Sequence, residues 1–218
     1  MARIANVPYI ANIESLSNNQ IREVLTARAA EILLDSHNWS DEYPYAPTVT
    51  ARVAVSDSHI ALMFNVLEEH TKAVEMESNG RVWEDSCVEF FVANPVGEGY
   101  YNFELNAIGT LLAAFRTSRE NATHFSVEQI AKIRRFGQFE HSPIDVVGQS
   151  SWWVAELIPF EAIGLSCLSC RSRTLRANFY KCGDNLRRPH FMSWSPIALD
   201  KPNFHCPDYF GELIFDYE

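Results

Sequence analysis

Apolar and polar residues alternate along much of the chain after residue 47. In TVTARVAV, residues 48–55, nearly every second side chain is apolar. A two-residue period of this kind predicts a strand with one buried face. Asp57 and Ser58 then predict a tight turn, and HIALMFNVLE, residues 59–68, predicts the returning strand of a hairpin.

Later segments also have the alternation or the β-branched and aromatic composition that favours strands. They are CVEFFVA (87–93), the two halves of YYNFELNAIGTLLAAF (100–115) on either side of Gly109, WWVAELIPF (152–160), LRANFYKC (175–182) and ELIFDY (212–217). Each segment has one apolar face, so we expect two sheets packed on a shared core with their outer faces wet.

Helical signals are few. Ser17 and Gln20 have the spacing of a capping box, and Ile21 and Leu25 follow at a helical interval, which predicts a short N-terminal helix. The segment FSVEQIAKIRRFG, residues 125–137, fits a helix and a strand equally well. Many short strands with one short N-terminal helix predict an all-β fold, an antiparallel β-sandwich of jelly-roll or immunoglobulin-like character.

Composition is consistent with a globular domain. The 218 residues are 47% hydrophobic and show no internal repeat, so we expect one domain over residues 1–218. The net charge of -10 and the lack of a basic cluster disfavour nucleic acid and anionic membranes as partners and suit a neutral or cationic ligand. No apolar run approaches the ~20 residues that membrane insertion needs.

The first residues and the cysteines say little about function. Residues 1–19 lack the apolar stretch of a signal peptide, which favours the cytoplasm by default; oligomeric state stays open. The five cysteines do not form a disulfide framework. Cys167 and Cys170 make a lone C-x-x-C, for which free thiols are a better interpretation than zinc.

The second face of the predicted strands is unusually rich in hydrogen-bonding groups. It carries Glu89, Asn102, Glu104, Asn106, Arg176, Asn178 and Tyr180. Such a face is either a solvated exterior or a binding surface. Because amides are frequent there and Lys is scarce, we favour a binding surface.

Two aromatic residues extend this hypothesis. Trp83 lies in a polar loop shortly before a strand, and Phe204 lies in a proline-rich segment near the C-terminus. An indole in a loop usually covers the edge of a core, but it also serves as a stacking platform for the C–H face of a sugar. Acids and amides around the rim then bind the sugar hydroxyls.

Three blocks resemble carbohydrate-binding module family 9, in its divergent branch of stand-alone bacterial proteins. They are VWEDSCVEFFV (82–92), NFYKCGD (178–184) and SWSPIALDKPNFHCPDYFGEL (193–213). The resemblance extends from about Trp39 to the C-terminus, and the last block is its most specific part. It implies a β-sandwich that binds glycans or sugar ends without catalysis, between two aromatic rings, with structural calcium ions.

Individual roles follow from that resemblance. Trp83 and Phe204 match the two clamp rings, Phe204 standing where the family usually has Trp. Glu89, Asn106 and Tyr180 match polar contacts to sugar hydroxyls.

Further positions complete the predicted site. Glu104 stands where sugar-binding members carry Arg, so a charge is reversed there, and Arg176 shares the polar face. Trp194 matches a position that we expect to be structural.

Calcium would need six to eight oxygen ligands. The acidic stretch VLEEHTKAVEMESN, residues 66–79, together with WED, residues 83–85, offers several carboxylates without EF-hand spacing. A solvated acidic loop is the alternative interpretation. If calcium binds, Glu68 and Asp85 are the residues that we expect to hold it.

Catalytic and haem-binding functions remain open alternatives. Glu89 and Glu104 on adjacent strands would suit a glycoside hydrolase-like pair. A metal-dependent enzyme would gather Cys182, Asp184, His190, His205 and Cys206. A b-type haem module on the same sandwich would take axial ligands from Met63, Met192 and His190.

Overall fold

Two β-sheets pack against each other in the computed structural model, which describes residues 3–166 and 174–216. The C-x-x-C of Cys167 and Cys170 lies outside these residues. The all-β sandwich predicted from the sequence is confirmed. Within the described ranges no helix has the length and apolarity that crossing a membrane requires.

The polar residues predicted to form a binding surface lie on strands of the larger sheet. Its strands, in spatial order, are β1 (Ile4–Pro8), β14 (Gly211–Asp216), β12 (Thr174–Cys182), β6 (Cys87–Ala93), β7 (Tyr100–Asn106), β8 (Leu111–Arg116) and β9 (Ala122–His124). Strand β13 (Phe191–Ser193) pairs with β12 and with β3 (Ser36–His37). Strand β1 runs parallel to β14, and the other pairs in this sheet are antiparallel.

The smaller sheet is antiparallel throughout its described pairs. Its order is β10 (Arg134–Gly137), β11 (Ile144–Pro159), β5 (His59–Ala73), β4 (Thr48–Val55) and β2 (Ala30–Leu33). The predicted hairpin is present, and its turn is closed by a hydrogen bond from Ser56 N to His59 O at 2.9 Å. Both β5 and β11 are longer than the sequence pattern indicated.

The predicted N-terminal helix is α1 (Asn18–Arg28). Ser17 caps it, and Gln20 completes the capping box in both directions. Ile21 and Leu25 are fully buried in a cluster with residues on the outer face of the smaller sheet. The helix therefore seals one outer face of the sandwich.

The ambiguous segment 125–137 contains both predicted structures. Ser126 caps a short helix, α2 (Val127–Ala131), and the chain then enters β10 (Arg134–Gly137). The sequence fits both patterns because one half is helical and the other extended. Short 3-10 turns occupy Ile13–Ser15, Val82–Glu84, Phe160–Ile163 and Pro207–Tyr209.

The main core lies between the sheets. Val88, Phe90 and Val92 of β6 point into it and are fully buried, as the alternation predicts. Trp194 also lies in this core, 4% exposed and edge-on to Phe179.

The outer face of the larger sheet is not wet, and that expectation was wrong. The proline-rich segment 196–210 folds back over it, where Ile197, Phe204 and Phe210 form a second buried cluster with side chains of the sheet. Asn102 and Glu104 of β7, predicted to face outwards, are at most 3% exposed. The segment lies over this face because packing its aromatic rings there removes apolar area from water.

A buried charged cluster lies on the inner side of the larger sheet. Lys181 Nζ is 2.9 Å from Glu68 Oε2 and 2.8 Å from His190 Nε2. Trp152 Nε1 donates to Glu68 Oε1 at 2.6 Å. Because His190 Nδ1 contacts the Arg188 carbonyl at 2.9 Å, that nitrogen carries the proton, and Nε2 accepts from Lys181. Burial, and next the neighbouring Lys181, lower the pKa of His190 well below its usual value, so the ring is neutral.

Candidate carbohydrate-binding site

A cavity of about 590 Å³ opens over the outer face of the larger sheet, where the C-terminal segment stops short of covering it completely. Sites for small molecules usually measure ~300–1,000 Å³. The cavity is lined by Tyr43, Trp83, Glu89, Glu104, Arg116, Arg119, Cys182, Asp184, Phe191, Lys201, Pro202, Asn203, Phe204 and His205. Four predicted site residues are therefore brought together here: Trp83, Phe204, Glu89 and Glu104.

A different cavity, of about 540 Å³, lies beside Tyr45 and His70. Its lining residues Arg188 and Glu69 are bound to each other at 2.6 Å, and the Arg188 guanidinium also covers the Tyr45 ring. We place the functional site in the first cavity because only that one combines buried acids with aromatic side chains from separate segments.

Trp83 forms one wall of the site. It lies in the 3-10 turn Val82–Glu84, which precedes β6, and is half-buried. Its carbonyl accepts a hydrogen bond from Asp184 N at 3.1 Å, which fixes the turn to the end of β12. Part of the indole therefore stays accessible while its backbone is held in place.

Phe204 contributes another part of the wall. Its ring stacks on Tyr180, with centroids 4.2 Å apart and planes within 8° of parallel. Tyr180 Oη donates to the Phe204 carbonyl at 3.2 Å, so the same residue supports both ring and backbone. Phe204 is only 8% exposed, a smaller accessible surface than a free stacking platform would have.

Two carboxyl groups form the floor. Glu89 and Glu104 are directly opposite each other on β6 and β7, and each is 3% exposed. Burial, and next the charge of Glu104, raise the pKa of Glu89 well above its usual value. Burial raises the pKa of Glu104 to about 7, against the opposing effects of Arg116 and of a hydrogen bond from Asn102. Such a pair holds a proton near neutral pH because two adjacent buried charges repel.

Arg116 brings a positive charge to the cavity that Glu104 lines. Its Nε donates to Asn102 Oδ1 at 2.8 Å, and Asn102 Nδ2 donates to Glu104 Oε1 at 2.9 Å. The guanidinium thus reaches the site from β8. Arg116 was not predicted as a site residue, because the strand pattern was recognised only to Phe115. Continuing the alternation of β8 by one residue places Arg116 on the polar face.

His205 is another lining residue that was not predicted for sugar binding. Its Nδ1 lies 2.9 Å from Tyr100 Oη. Burial, together with Arg116 and Arg119, lowers the pKa of His205 to about 3. The ring is therefore a neutral hydrogen-bonding group at physiological pH.

Three predicted contact residues do not line the cavity. Tyr180 lies beneath Phe204 and is fully buried. Asn106 is also fully buried, with its Nδ2 donating to Glu75 O and Asp85 Oδ2 and its Oδ1 accepting from Thr110 N. Arg176 is exposed, and its Nη2 donates to Pro207 O at 2.6 Å.

All three residues lie on the face of the sheet where the cavity opens, but none of them lines the cavity. The C-terminal segment covers Tyr180, and Asn106 connects β7 to the loop that follows β5. Tyr180 lies beneath a wall of the site, and Asn106 and Arg176 bind neighbouring segments. Contact of these three residues with a ligand stays a prediction.

The two residues chosen for calcium already have partners. Glu68 belongs to the buried cluster with Lys181, whose ammonium lies where a calcium ion bound to Glu68 would lie. Asp85 Oδ2 accepts from Val74 N, Glu75 N and Asn106 Nδ2 at 2.9–3.0 Å. Calcium binding stays a prediction from the family resemblance.

The predicted zinc and haem ligand sets are not assembled. His190 is bound to Lys181 on the inner side of the sheet, whereas Cys182 and His205 line the outer cavity. Met63 lies in the cluster beneath α1, and Met192 is in β13. Cys182, Asp184 and His205 of the predicted zinc set line one cavity, whereas alternation along β12 puts Lys181, the partner of His190, on the opposite face of the sheet.

A different group meets at the floor. Ligand atoms of Cys87, Glu89 and Cys182 lie within 4.8 Å of one another, and all three residues are buried. Cys182 Sγ donates to Glu89 Oε1 at 3.1 Å. The sequence reasoning missed this group because Cys87 and Cys182 are 95 positions apart, although both strands were recognised.

Known structures share this architecture. A candidate carbohydrate-binding protein of Bacteroides uniformis is 37% identical, with a TM-score of 0.92 over 99% of this chain and 100% of its own. A family 9 carbohydrate-binding module of Caldicellulosiruptor kristjanssonii in complex with glucose has a TM-score of 0.62 at 8% identity, covering 98% and 96%. The same organism's module in complex with cellotriose gives 0.64 at 8% identity, covering 98% and 93%. At 8% identity, the likeness to these two shows the fold alone.

Sequence comparison gives the family itself. No curated protein sequence matches the chain. The profile of carbohydrate-binding family 9, in contrast, matches residues 19–215, which include the smaller sheet, most of the larger sheet except β1, and every residue that lines the cavity. The chain therefore belongs to carbohydrate-binding family 9.

Proposed function

We propose that this protein binds carbohydrate, without cleaving it, in the cavity between Trp83 and Phe204. The observation that carries the proposal is the combination of two aromatic side chains with the buried acids Glu89 and Glu104 around one opening. Membership of carbohydrate-binding family 9 and structural likeness to modules solved with glucose and cellotriose support it.

The chemistry of the cavity suits a sugar. The C–H face of a pyranose stacks on an aromatic ring, and its hydroxyls both donate and accept hydrogen bonds. Glu104 accepts when ionised and donates when protonated, while Arg116 supplies N–H donors. In this clamp Trp83 is the main platform, because Phe204 exposes little of its ring.

Isothermal titration with glucose, cellobiose and cellotriose tests the proposal. We expect saturable binding by the wild type and a loss of roughly 5- to 30-fold in Trp83→Ala. Stacking of a ring on an aromatic side chain is worth on the order of 1–2 kcal/mol. Trp153→Ala is the matched control, since that indole is also half-buried but lies on the smaller sheet.

No heat with any member of a broad sugar panel at millimolar concentration would refute the proposal. Equal affinity in Trp83→Ala and the wild type would refute the placement of the site. Circular dichroism of each variant separates lost binding from lost folding.

Hydrolysis is a second candidate because the Glu89–Glu104 pair includes a carboxyl whose pKa is raised to about 7. Both groups, however, rise from the same floor, whereas glycosidase carboxyls flank the scissile bond from two sides. Release of the chromophore from a nitrophenyl glycoside panel, abolished by Glu104→Gln, would favour the enzyme over the binding protein.

A further inference from the structure

Three metal-ligating groups converge at the floor of the cavity, and the proposed sugar contacts account for only one of them, Glu89. The Sγ atoms of Cys87 and Cys182 and a carboxyl oxygen of Glu89 lie within 4.8 Å of one another. We propose that these three side chains form a binding site for a thiophilic divalent cation of the zinc class. This inference goes beyond carbohydrate binding and does not depend on it.

The sheet places the three ligands in advance. Cys87 and Glu89 are two residues apart in β6, so their side chains share one face. Cys182 of β12 is directly opposite Cys87 in the antiparallel ladder. Ligands carried on paired strands are held more rigidly than ligands on loops, which lowers the ordering cost of binding a metal.

Without a metal, a hydrogen bond joins two of the three groups and the thiols keep their protons. Cys182 Sγ donates to Glu89 Oε1, and burial raises the pKa of the Cys87 thiol to about 12. A bound dication replaces these protons: each thiol gives up one proton and becomes a thiolate ligand, and Glu89 binds as a carboxylate.

Once ionised, the cluster would carry three negative charges, and the single charge of Arg116, which acts on Glu89, would not balance them. Lys181 precedes Cys182 in the chain, but its ammonium lies on the opposite face and is paired with Glu68. Across the ladder from Glu89 stands another acid, Glu104. Two thiolates and a carboxylate in this position would be unfavourable alone, and a divalent cation compensates them.

The three ligands suit zinc and leave one coordination position open. Zinc in proteins is nearly always tetrahedral with Cys, His or carboxylate ligands, and three protein ligands leave the fourth position open. Glu89 and Cys182 line the cavity, so solvent reaches the cluster from that side. The fourth position therefore faces the same opening that we assign to sugar.

Cobalt(II) titration of the reduced protein tests the site directly. The other cysteines are first removed in a Cys167→Ser/Cys170→Ser/Cys206→Ser background, because the C-x-x-C pair could bind metal by itself. In this background we expect one equivalent of Co²⁺ to give thiolate-to-cobalt charge transfer in the near ultraviolet and the intense visible bands of a tetrahedral ion. Zn²⁺ should displace it.

Single changes in that background assign the ligands. Cys87→Ser and Cys182→Ser should each remove most of the charge-transfer absorption. Glu89→Gln should retain the absorption and weaken binding at least tenfold. Glu104→Gln is the control, since it removes a neighbouring buried acid that is not a ligand.

Two results would overturn the proposal: no cobalt absorption in the background protein, or unchanged absorption in Cys182→Ser. If a serine variant fails to fold, thermal unfolding of the background protein decides instead. A midpoint that does not rise with excess Zn²⁺ over metal-free buffer contradicts a site that exists only in the folded state. No sugar is present, so this outcome is separate from that of the binding experiment.

Discussion

Replacing Lys181 with Met removes the only cation that contacts the buried Glu68 carboxylate among the described residues. Both side chains are fully buried, and their charged atoms are 2.9 Å apart. Met keeps the volume of the lysine stem, so the change tests charge more than packing. Glu68 retains its hydrogen bonds from Trp152 and Thr71 in this variant.

The loss follows from the geometry. At 2.9 Å and an effective dielectric constant of about 20, the Coulomb attraction is about 6 kcal/mol. Breaking one side of a buried pair usually costs about 3–5 kcal/mol, because the remaining charge recovers some solvation or takes up a proton. We therefore expect Lys181→Met to lower the free energy of unfolding by about 3–5 kcal/mol at pH 8.

Urea unfolding followed by tryptophan fluorescence measures this loss. The double variant Lys181→Met/Glu68→Gln should recover most of it, since Gln keeps an acceptor for Trp152 without leaving a charge.

Two results would contradict the reasoning. A cost below about 1 kcal/mol would mean that the pair contributes little in the folded state. A double variant no more stable than Lys181→Met would mean that lost packing, not the unpaired charge, causes the destabilisation.

Three further predictions concern other positions. Glu156 is fully buried, neither carboxyl oxygen has a hydrogen-bond partner, and burial raises its pKa from 4.5 to about 8. Because the folded pKa exceeds the unfolded one, stability is lost as the pH rises from 4.5 through 8. The advantage of Glu156→Leu in chemical denaturation should therefore grow across that window by on the order of 5 kcal/mol. A Cβ at Gly211 would approach a Trp194 ring atom to 2.6 Å, so Gly211→Ala should lower stability by about 1–3 kcal/mol in the same assay. Burial raises the pKa of Glu104 to about 7, and an ionised acceptor binds hydroxyls more strongly; sugar affinity measured calorimetrically should rise between pH 6 and 8 in the wild type and stay flat in Glu104→Gln.

Much of the fold could be predicted from local patterns. Alternation identified the strands that build the centre of each sheet and placed Val88 and Phe90 on the buried side. The Ser17 capping box identified the start of α1. Short strands such as β3, with two residues, and β9, with three, have too few positions for any period to show.

The site was only partly predictable for a different reason. Strand alternation decides which face a residue occupies, and on that basis Glu89, Glu104 and Tyr180 belong together. Which of them a ligand can reach depends on where the C-terminal segment crosses that face, and it crosses over Tyr180. That path is set by long-range packing of Phe204 and Phe210, which has no local pattern.

The parallel pairing of β1 with β14 has a mechanical consequence. The ladder joins five consecutive positions, from Ile4 opposite Glu212 to Pro8 opposite Asp216. Tension applied to the two ends of the chain would pull these strands in opposite directions along their length, loading all the pairs at once in shear instead of opening them one by one. The domain would therefore resist extension by a force applied through its two ends.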